Sequence, residues 1–280
     1  MLKIATFNVN SVKARIENIG AWLKDSNPDI VCLQEIKCIE EQFPFDYFLD
    51  LGYNAVVNGQ KTYNGVAILS KYKIEDVKKD LPHLHDNDGV DGNLDNQARY
   101  IEGVIAFKNS AIRVASIYVP NGGGDLDSNE NLENSAKFIY KMDFFDRLNS
   151  HIKNLLKYDE MQFFAGDFNV ACENIDIYDP KNFDGKILFH PQERQKFRGL
   201  LNLGLVDCYR ALNPLQQSYS WWDYRGNSYE KNHGARIDYI LASPLGADSL
   251  ISSSIEDKNV RDQSKPSDHC PMIINIKYGR

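Results

Sequence analysis

The sequence predicts an α/β fold in which two sheets pack together with helices on the outside. Short apolar runs typical of strands outnumber long helical patterns, and the helical segments lie between groups of strands. No stretch rich in Pro, Gly or Ser divides the chain. Because 280 residues is near the upper limit for one hydrophobic core, we expect a single domain over residues 1–280.

The first part of the chain has the order strand, helix, strand. An apolar run over residues 2–9 predicts the first strand, and residues 11–24 carry apolar side chains at helical spacing. The compact apolar run over residues 30–33 predicts a buried strand, which completes a βαβ pattern. Further strands are predicted at residues 53–58 and 66–70.

The rest of the chain continues the same alternation. Apolar faces at helical spacing predict helices over residues 129–157 and 192–203. The stretch over residues 85–96 is acidic and rich in Gly and Asn, which predicts a loop. The remaining apolar runs predict strands at residues 101–107, 112–118, 161–165, 218–222, 237–242 and 272–277.

Charge and composition exclude several classes of protein. The formal net charge of −7 argues against diffuse adhesion to nucleic acid, although a metal site needs carboxylates of its own. No apolar run approaches the roughly 20 residues of a membrane-spanning helix. The 5 cysteines are scattered without CxxC spacing, which disfavours a zinc site or a disulfide framework. With no targeting segment evident, we expect a cytoplasmic monomer.

Polar residues follow many of the predicted strands at the point where each strand ends. Taken singly, such residues are usually turn formers or solvated groups. As a set they combine carboxylates, amides, a phenol and an imidazole, which suits a hard divalent cation and acid–base chemistry on a phosphate. The set consists of Asn8, Glu35, Tyr118, Asp167, Asn169, Asp238, Asp268 and His269.

Residue spacing constrains how these groups pair. Asp167 and Asn169 are two apart, so they share a face of an extended backbone. Asp268 and His269 are adjacent and should point to opposite sides, which makes Asp268 a poor partner for the imidazole. We therefore expect Asp238, from another strand, to orient His269. A charged imidazolium would stabilise a pentavalent phosphate, and a neutral one would act as a base.

The motifs around these residues carry a family resemblance that runs from Ile4 to Ile276. The chain resembles the exonuclease III family of apurinic/apyrimidinic endonucleases, within the wider endonuclease/exonuclease/phosphatase superfamily. Each motif alone is weak, but their shared order over one chain is specific. They are Phe7-Asn8-Val9-Asn10, Leu33-Gln34-Glu35-Ile36-Lys37, Tyr63-Asn64-Gly65-Val66-Ala67, Tyr118-Val119-Pro120-Asn121-Gly122, Gly166-Asp167-Phe168-Asn169-Val170, Ser220-Trp221-Trp222-Asp223-Tyr224-Arg225, Arg236-Ile237-Asp238-Tyr239 and Pro266-Ser267-Asp268-His269.

The resemblance implies a four-layer, DNase I-like α/β sandwich of two mixed sheets, with the site at one end of the sheets. It implies Mg²⁺, with Mn²⁺ as a substitute, bound by Glu35 with help from Asn8 and Asp268. It also implies that Asp167 orients or deprotonates the attacking water, with Asn169 beside it. The groups that it places on the scissile phosphate are Tyr118, Asp238 and His269.

DNA contacts are expected from basic, amide and aromatic side chains in or near the matched loops. Trp221 has two interpretations, as a core aromatic or as a wall of the pocket for an extruded abasic sugar. The expected contact residues are Lys13, Lys37, Lys61, Tyr63, Asn64, Arg99, Asn121 and Trp221.

The implied function is Mg²⁺-dependent cleavage of the DNA backbone 5′ to abasic sites, with 3′-5′ exonuclease and 3′-phosphatase activity. The expected partner is double-stranded DNA with abasic sites or 3′ ends, which would associate this cytoplasmic protein with the nucleoid. One alternative is a phosphohydrolase of the same superfamily acting on a phosphoinositide or sphingolipid. Another is a non-catalytic DNA-binding relative. The motifs at residues 118–122 and 220–225 favour DNA, and no amphipathic segment for membrane docking is evident.

Overall fold

The computed structural model describes residues 1–82, 97–107, 110–123, 132–256 and 258–277. These residues form two mixed six-stranded sheets that pack face to face, with helices on their outer surfaces. The predicted four-layer α/β sandwich is therefore confirmed. The loop predicted over residues 85–96 lies outside the described residues.

The strands and helices are numbered in chain order. The described strands are β1 Leu2–Asn8, β2 Ile30–Gln34, β3 Asn54–Asn58, β4 Val66–Ser70, β5 Ile74–Lys79, β6 Tyr100–Phe107, β7 Ser110–Tyr118, β8 Met161–Asp167, β9 Val206–Asp207, β10 Asp238–Ala242, β11 Leu250–Ile255 and β12 Met272–Ile276. The described helices are α1 Ile16–Ser26, α2 Phe45–Asp50, α3 Ala136–Leu155, α4 Pro180–Phe183, α5 Pro191–Asn202, α6 Cys208–Leu212, α7 Pro244–Asp248 and α8 Lys258–Arg261. None of these helices is both long and apolar enough to cross a bilayer.

The central strands are mostly apolar because both of their faces are buried. In β1, Ile4 enters the core between the sheets, whereas Ala5 and Phe7 pack toward α1. In β8, Phe163 faces the same inter-sheet core, and Phe164 packs under α3 and α5. Each large apolar side chain buried in this way stabilises the fold by roughly 1.5–3 kcal/mol.

The order of strands brings the ends of two parallel pairs together. The sheets have the orders β11-β12-β1-β2-β4-β3 and β5-β6-β7-β8-β10-β9, with β1 parallel to β2 and β7 parallel to β8. In register, Tyr118 of β7 is opposite Asp167 of β8, and Asp238 of β10 is opposite Asp167 on its other side. Since β1 also packs on β8, the carboxyl ends of β1, β2, β7 and β8 and the amino end of β10 converge at one edge of the sandwich.

Several predicted boundaries are wrong. The strand predicted over residues 218–222 is absent; Trp221 makes only isolated bridges, to Ala235 and His269. Ser220 and Trp221 both donate backbone N–H groups to the same Ala235 carbonyl, so no regular ladder forms. Strands β5, β9 and β11 were not predicted, because β5 and β11 are polar and largely exposed and β9 has only 2 residues.

Helix α1 begins at Ile16, later than the predicted start at residue 11. Asn10 and Ser11 have φ values of 43° and 91°, which are incompatible with a right-handed helix. The N–H groups of Ser11 and Val12 instead bind the carbonyls of Glu35 and Ile36. Residues 10–12 therefore belong to the loops at the edge of the sandwich. The start predicted for α3, at residue 129, lies outside the described residues, and the helix is present from Ala136.

Candidate active site

Asn8, the last residue of β1, links two carboxylates at the centre of the site. Its Nδ2 donates to Glu35 Oε1 at 2.8 Å and to Asp167 Oδ2 at 2.9 Å. The oxygen of the same amide accepts from the Asn10 N–H. Lys37 Nζ lies 2.8 Å from the other Glu35 oxygen. As placed, Asn8 holds the two carboxylates rather than offering a metal ion its oxygen.

The loop after β2 fixes Glu35 through bonds to the loop before β4. Glu35 and Lys37 have φ values of 51° and 53°, in the left-handed region that costs a non-glycine residue about 1–2 kcal/mol. Ile36 N–H donates to Gly65 O and Lys37 N–H donates to Asn64 O, at 3.1 and 2.9 Å. These bonds offset the unfavourable backbone and tie the two loops together.

His269 and Asp238 form a buried pair. His269 Nδ1 lies 2.8 Å from Asp238 Oδ2, and the same oxygen accepts from the Ser220 hydroxyl at 2.6 Å. The other ring nitrogen, Nε2, is 3.7 Å from Asp167 Oδ2. The pairing expected from residue spacing is thus the one the structure has, and it leaves Nε2 directed toward Asp167 and the open side of the site.

Tyr118, at the end of β7, is hydrogen-bonded to the carboxylate of Glu35. Its hydroxyl donates to Glu35 Oε1 at 2.9 Å, and the Arg99 guanidinium lies 4.7 Å from the centre of its ring. Burial, with the nearby charges of Glu35 and Asp167, raises the pKa of Tyr118 well above its usual value. Tyr118 is therefore a hydrogen-bond donor at any physiological pH.

Asn169 and Asn121 hold the loops that follow β8 and β7. Asn169 N–H donates to Asp167 Oδ1 at 2.9 Å, and its side-chain Nδ2 donates to Val119 O at 2.9 Å. Asn121 Nδ2 reaches Asn169 Oδ1 at 3.4 Å. Asn169 thus fixes the second oxygen of Asp167 while bracing the neighbouring loop.

Asp268 lies near Glu35, Asp167 and His269, but its carboxylate is hydrogen-bonded to a different pair of side chains. Asn10 Nδ2 donates to its Oδ1 at 2.9 Å, and Trp221 Nε1 donates to its Oδ2 at 3.1 Å. Both carboxylate oxygens are therefore engaged. Of the two carboxylates that the resemblance implies as metal ligands, Glu35 and Asp268, Glu35 alone belongs to the group of acidic and histidine side chains that converges here among the described residues.

Burial and charge together raise the pKa of both central titratable groups, Asp167 and His269. Burial, with the like charges of Asp238 and Glu35, raises the pKa of Asp167 to about 7 against an opposing effect of His269. Burial would lower the pKa of His269, but the charges of Asp238 and Asp167 outweigh it and raise this pKa to about 10. The imidazole is consequently protonated at neutral pH.

The Asp238→Asn variant should lower the pKa of His269 from about 10 toward 6.5, because Asp238 makes the largest favourable contribution to the imidazolium. The measurement is an NMR titration of ¹³C-labelled histidine in metal-free protein. Asp268→Asn is the matched control and should shift this pKa less, since Asp268 contributes least of the three neighbouring carboxylates. An unchanged His269 titration in Asp238→Asn would contradict the assigned pairing.

The donor set fits a hard divalent cation. Oxygens of Glu35 and Asp167 and a nitrogen of His269 lie within 4.8 Å of one another. Carboxylate oxygens are the ligands that Mg²⁺ and Mn²⁺ prefer. Burial, together with the charges of Asp238 and Glu35, raises the pKa of Asp167, and a bound divalent cation would favour the ionised carboxylate.

A cavity of about 230 Å³ opens beside these groups. Its apolar wall consists of Ile187, Leu188, Trp221 and Ile237. Trp221 also packs against the buried cluster around Ala235. It is therefore both a partly buried core aromatic and a wall of the cavity, the two interpretations predicted for it. The polar residues that line the cavity are Glu35, Tyr118, Asn121, Asp167, Asn169, Asp223, Arg225, Asp268 and His269.

A second, more open cavity of about 480 Å³ adjoins the first and shares Asn121 with it. Four of the expected DNA-contact residues line this groove: Tyr63, Asn64, Arg99 and Asn121. Asn64 is buried and bonded to Gln60 and Gln97, so it shapes the groove wall. Lys61 is exposed beside the groove, Lys37 is paired with Glu35, and Lys13 donates to Gln42 and lines neither cavity.

Some residues of the site were not identified from the sequence. Ser220 and Asn10 lie inside quoted motifs, but nothing in their spacing shows that they bind Asp238 and Asp268. Ile187 and Leu188 carry no motif at all. Lys137 and Tyr140 line the groove from α3, where a helical pattern gives no signal for binding.

Comparison with known proteins is consistent with this geometry. A model of the Endonuclease/Exonuclease/phosphatase family matches residues 5–269. The chain belongs to this family. The exodeoxyribonuclease III of Haemophilus influenzae is 31% identical over 283 residues, covering 99% of this chain and 100% of that protein. The resemblance found in the motifs is thereby confirmed.

Solved structures in the same family share the whole fold. An AP endonuclease from Archaeoglobus fulgidus superposes with a TM-score of 0.87 at 35% identity, covering 99% of this chain and 100% of that one. A 3′ phosphatase from Neisseria, solved with a product DNA hairpin, also gives a TM-score of 0.87, at 34% identity with the same coverage. Both neighbours have the two-sheet architecture that positions the site described above.

Proposed function

We propose that this chain is a metal-dependent DNA-repair nuclease that cleaves the backbone 5′ to abasic sites and also trims nucleotides and phosphates from 3′ ends. The observation that carries the proposal is the convergence of Glu35, Asp167 and the Asp238–His269 pair on one cavity. The relatives support the substrate, because their names describe an exodeoxyribonuclease, an AP endonuclease and a 3′ phosphatase bound to DNA.

The protein groups supply complementary parts of an in-line hydrolysis. Asp167, held by Asn8 and Asn169, orients the attacking water and accepts its proton. His269, kept protonated by Asp238, donates from Nε2 to a non-bridging oxygen of the phosphate as negative charge develops there. Tyr118, at the end of β7, donates a further hydrogen bond to the same phosphate. As the bond from water oxygen to phosphorus forms, the bond from phosphorus to the 3′ oxygen breaks, and the leaving oxygen takes a proton from solvent.

Mg²⁺ is the proposed cofactor, with Mn²⁺ as a substitute. Glu35 and Asp167 supply the carboxylate oxygens, with Asn8 and Asp268 supporting the site from its edge. When bound, the cation would act as a Lewis acid that stabilises charge on the phosphate oxygens. Lys37, now 2.8 Å from Glu35, partly balances the carboxylate charge.

DNA is proposed to lie across the groove and place its scissile phosphate in the smaller cavity. Arg99 and Lys137 provide positive charge along the groove, and Tyr63, with 67% of its surface exposed, provides an aromatic face. Trp221 and the apolar residues beside it form a wall suited to a sugar that has lost its base.

Lys61 is proposed to contact a backbone phosphate. Lys61→Ala should weaken binding to any duplex and lower the slope of log K against log salt by about 1. Fluorescence anisotropy over a salt series, with Ca²⁺ replacing Mg²⁺, measures this slope. Lys73→Ala is the control, since Lys73 is exposed just before β5 and paired with Glu75. Equal slopes for the two variants would show that Lys61 does not contact the DNA backbone.

The proposal extends to how the enzyme exists in the cell. We propose a monomer with one catalytic domain over residues 1–280, acting in the cytoplasm and held on the nucleoid by its substrate. The non-catalytic alternative is disfavoured because Tyr118, Asp167, Asn169 and His269 line the cavity and Asp238 is bonded to His269 behind it. The lipid alternative is tested directly: we expect cleavage of an abasic duplex and no phosphate release from phosphoinositide vesicles, and the reverse result would overturn the choice of DNA.

A further inference from the structure

Lys141 is a buried cation beneath the active-site loops. It lies on α3, and its side chain is 0% exposed, as is that of its partner Glu193 on α5. Its ammonium has three acceptors: Glu193 Oε1 at 2.5 Å, Asn169 O at 2.7 Å and Asn121 O at 3.1 Å. Two of the three are main-chain carbonyls of loops that line the cavity.

The two carbonyls belong to loops with left-handed backbone, which is costly at Asn169 and freely adopted at Gly122. Asn169 has a φ of 51°, in the left-handed region, and Gly122, next to Asn121, has a φ of 96°. A methyl group added at Gly122 would come within 3.0 Å of Lys141 Cδ, so the loop after β7 is packed directly on the lysine side chain. Lys141 thus joins both loops from below through one atom.

The contact at Asn169 leads directly to a reacting group. The N–H of Asn169 donates to Asp167 Oδ1, and its side chain donates to Val119 O. Fixing the Asn169 peptide therefore fixes one oxygen of Asp167 and the spacing between the loops after β7 and β8. A displacement of about 1 Å at such a position is enough to lower a rate by about 10²-fold.

Stability alone is a poor explanation for this ion pair. Burying two charges costs desolvation energy that their attraction often only balances, and apolar residues of similar volume are frequently as stable. Glu193 contributes separately to the fold, because its Oε2 accepts from His190 N–H at the start of α5. The ammonium, in contrast, directs its two other bonds to the active-site loops.

We propose that Lys141 is a positioning residue for phosphodiester hydrolysis, which sets the separation of the Asn121 and Asn169 loops and the orientation of Asp167 from beneath the site. The inference rests on the proposed function for its kinetic readout only. In this proposal Glu193 balances the charge of Lys141. The effect of removing the lysine charge alone can therefore be separated from the effect of removing both charges.

The test compares Lys141→Met, the charge-neutral pair Lys141→Met/Glu193→Gln, and Lys153→Met as an exposed control on the same helix. Lys141→Met leaves a carboxylate buried alone, and we expect a lower Tm. The double variant removes both charges and retains an acceptor for His190 N–H, so we expect its Tm to return close to that of the wild type.

For cleavage of an abasic duplex, we expect kcat of the double variant to stay about 10–100-fold below that of the wild type, with KM changed less than about threefold. Lys153→Met should match the wild type.

A substrate-independent measurement accompanies the kinetics. In ¹⁵N-labelled protein, the side-chain amide resonances of Asn121 and Asn169 should shift or broaden in the double variant and not in Lys153→Met. Recovery of kcat together with Tm, or unchanged amide resonances in the double variant, would overturn the positioning role. If the wild-type protein does not cleave the duplex, the proposed substrate fails, and the amide resonances still decide the inference.

Discussion

Replacing Asp167 with asparagine is expected to lower kcat for cleavage of an abasic duplex by about 10²–10⁴-fold. Asparagine has the shape of aspartate and retains acceptor and donor groups, but it does not accept a proton from the attacking water. It also removes one of the two carboxylates that converge on the metal site. Single-turnover cleavage of an end-labelled duplex at saturating Mg²⁺ measures the chemical step.

The loss in Asp167→Asn should occur without loss of stability. The folded protein raises the pKa of Asp167 to about 7, so the ionised carboxylate destabilises the metal-free fold once the pH exceeds the ordinary value of 3.8. At pH 8 in EDTA, the Tm of the variant should therefore equal or exceed that of the wild type. Asp159→Asn, at the opposite end of β8, should change neither rate nor Tm. A variant with more than a tenth of the wild-type rate would exclude Asp167 as the base.

Replacing Glu35 with glutamine should give the second large effect. Removing one carboxylate from the proposed metal site withdraws several kcal/mol of charge stabilisation. In an assay at about 1 mM Mg²⁺, kcat should therefore fall by about 10²–10³-fold. The metal concentration for half-maximal activity should rise in parallel. A titration of Mg²⁺ and Mn²⁺ against initial rate measures both quantities.

The control for Glu35 is an exposed glutamate on α1. Glu17→Gln removes the same charge from the protein at a distance from the cavity, and it should leave the metal titration unchanged. Glu35 also accepts from Tyr118 and Asn8, and the carbonyl oxygen of glutamine at position 35 preserves an acceptor for these donors. A Glu35→Gln enzyme with unaltered metal dependence would show that the cation is held elsewhere.

The parts of the fold that the sequence predicts best are its doubly buried strands. Most residues of β1, β2 and β8 are apolar, so the strand and the polar residue that ends it both stand out. This is why Asn8 and Asp167 are identifiable without a structure. The edge strand β11 has the sequence LISSSI, whose serines are typical of a loop, and its pairing with β12 depends on a partner that the local sequence does not show.

Contacts between residues that are far apart in the chain limit how much of the site can be predicted from the sequence. The pairing of Asp238 with His269 follows from excluding Asp268 by its adjacency, although 31 residues separate the pair. No comparable argument exists for Lys141 and Glu193, which are 52 residues apart on two helices. A lysine on an amphipathic helix usually faces water, and only the packing of α3 against α5 buries this one. The amide orientation of Asn8 is likewise decided by its neighbours in three dimensions.

We expect one metal-dependent site at the edge of the two sheets to hydrolyse DNA at an abasic lesion. Gel-resolved cleavage of a labelled duplex with a single abasic analogue tests this most directly, with Mg²⁺ or EDTA, beside an intact duplex and the Asp167→Asn and His269→Ala variants. We predict one Mg²⁺-dependent nick 5′ to the lesion, reduced at least 10²-fold in both variants. A ladder from the 3′ ends of both duplexes, with no nick at the lesion, would contradict the abasic-site specificity. No cleavage of either duplex with Mg²⁺ or Mn²⁺ would contradict the nuclease itself.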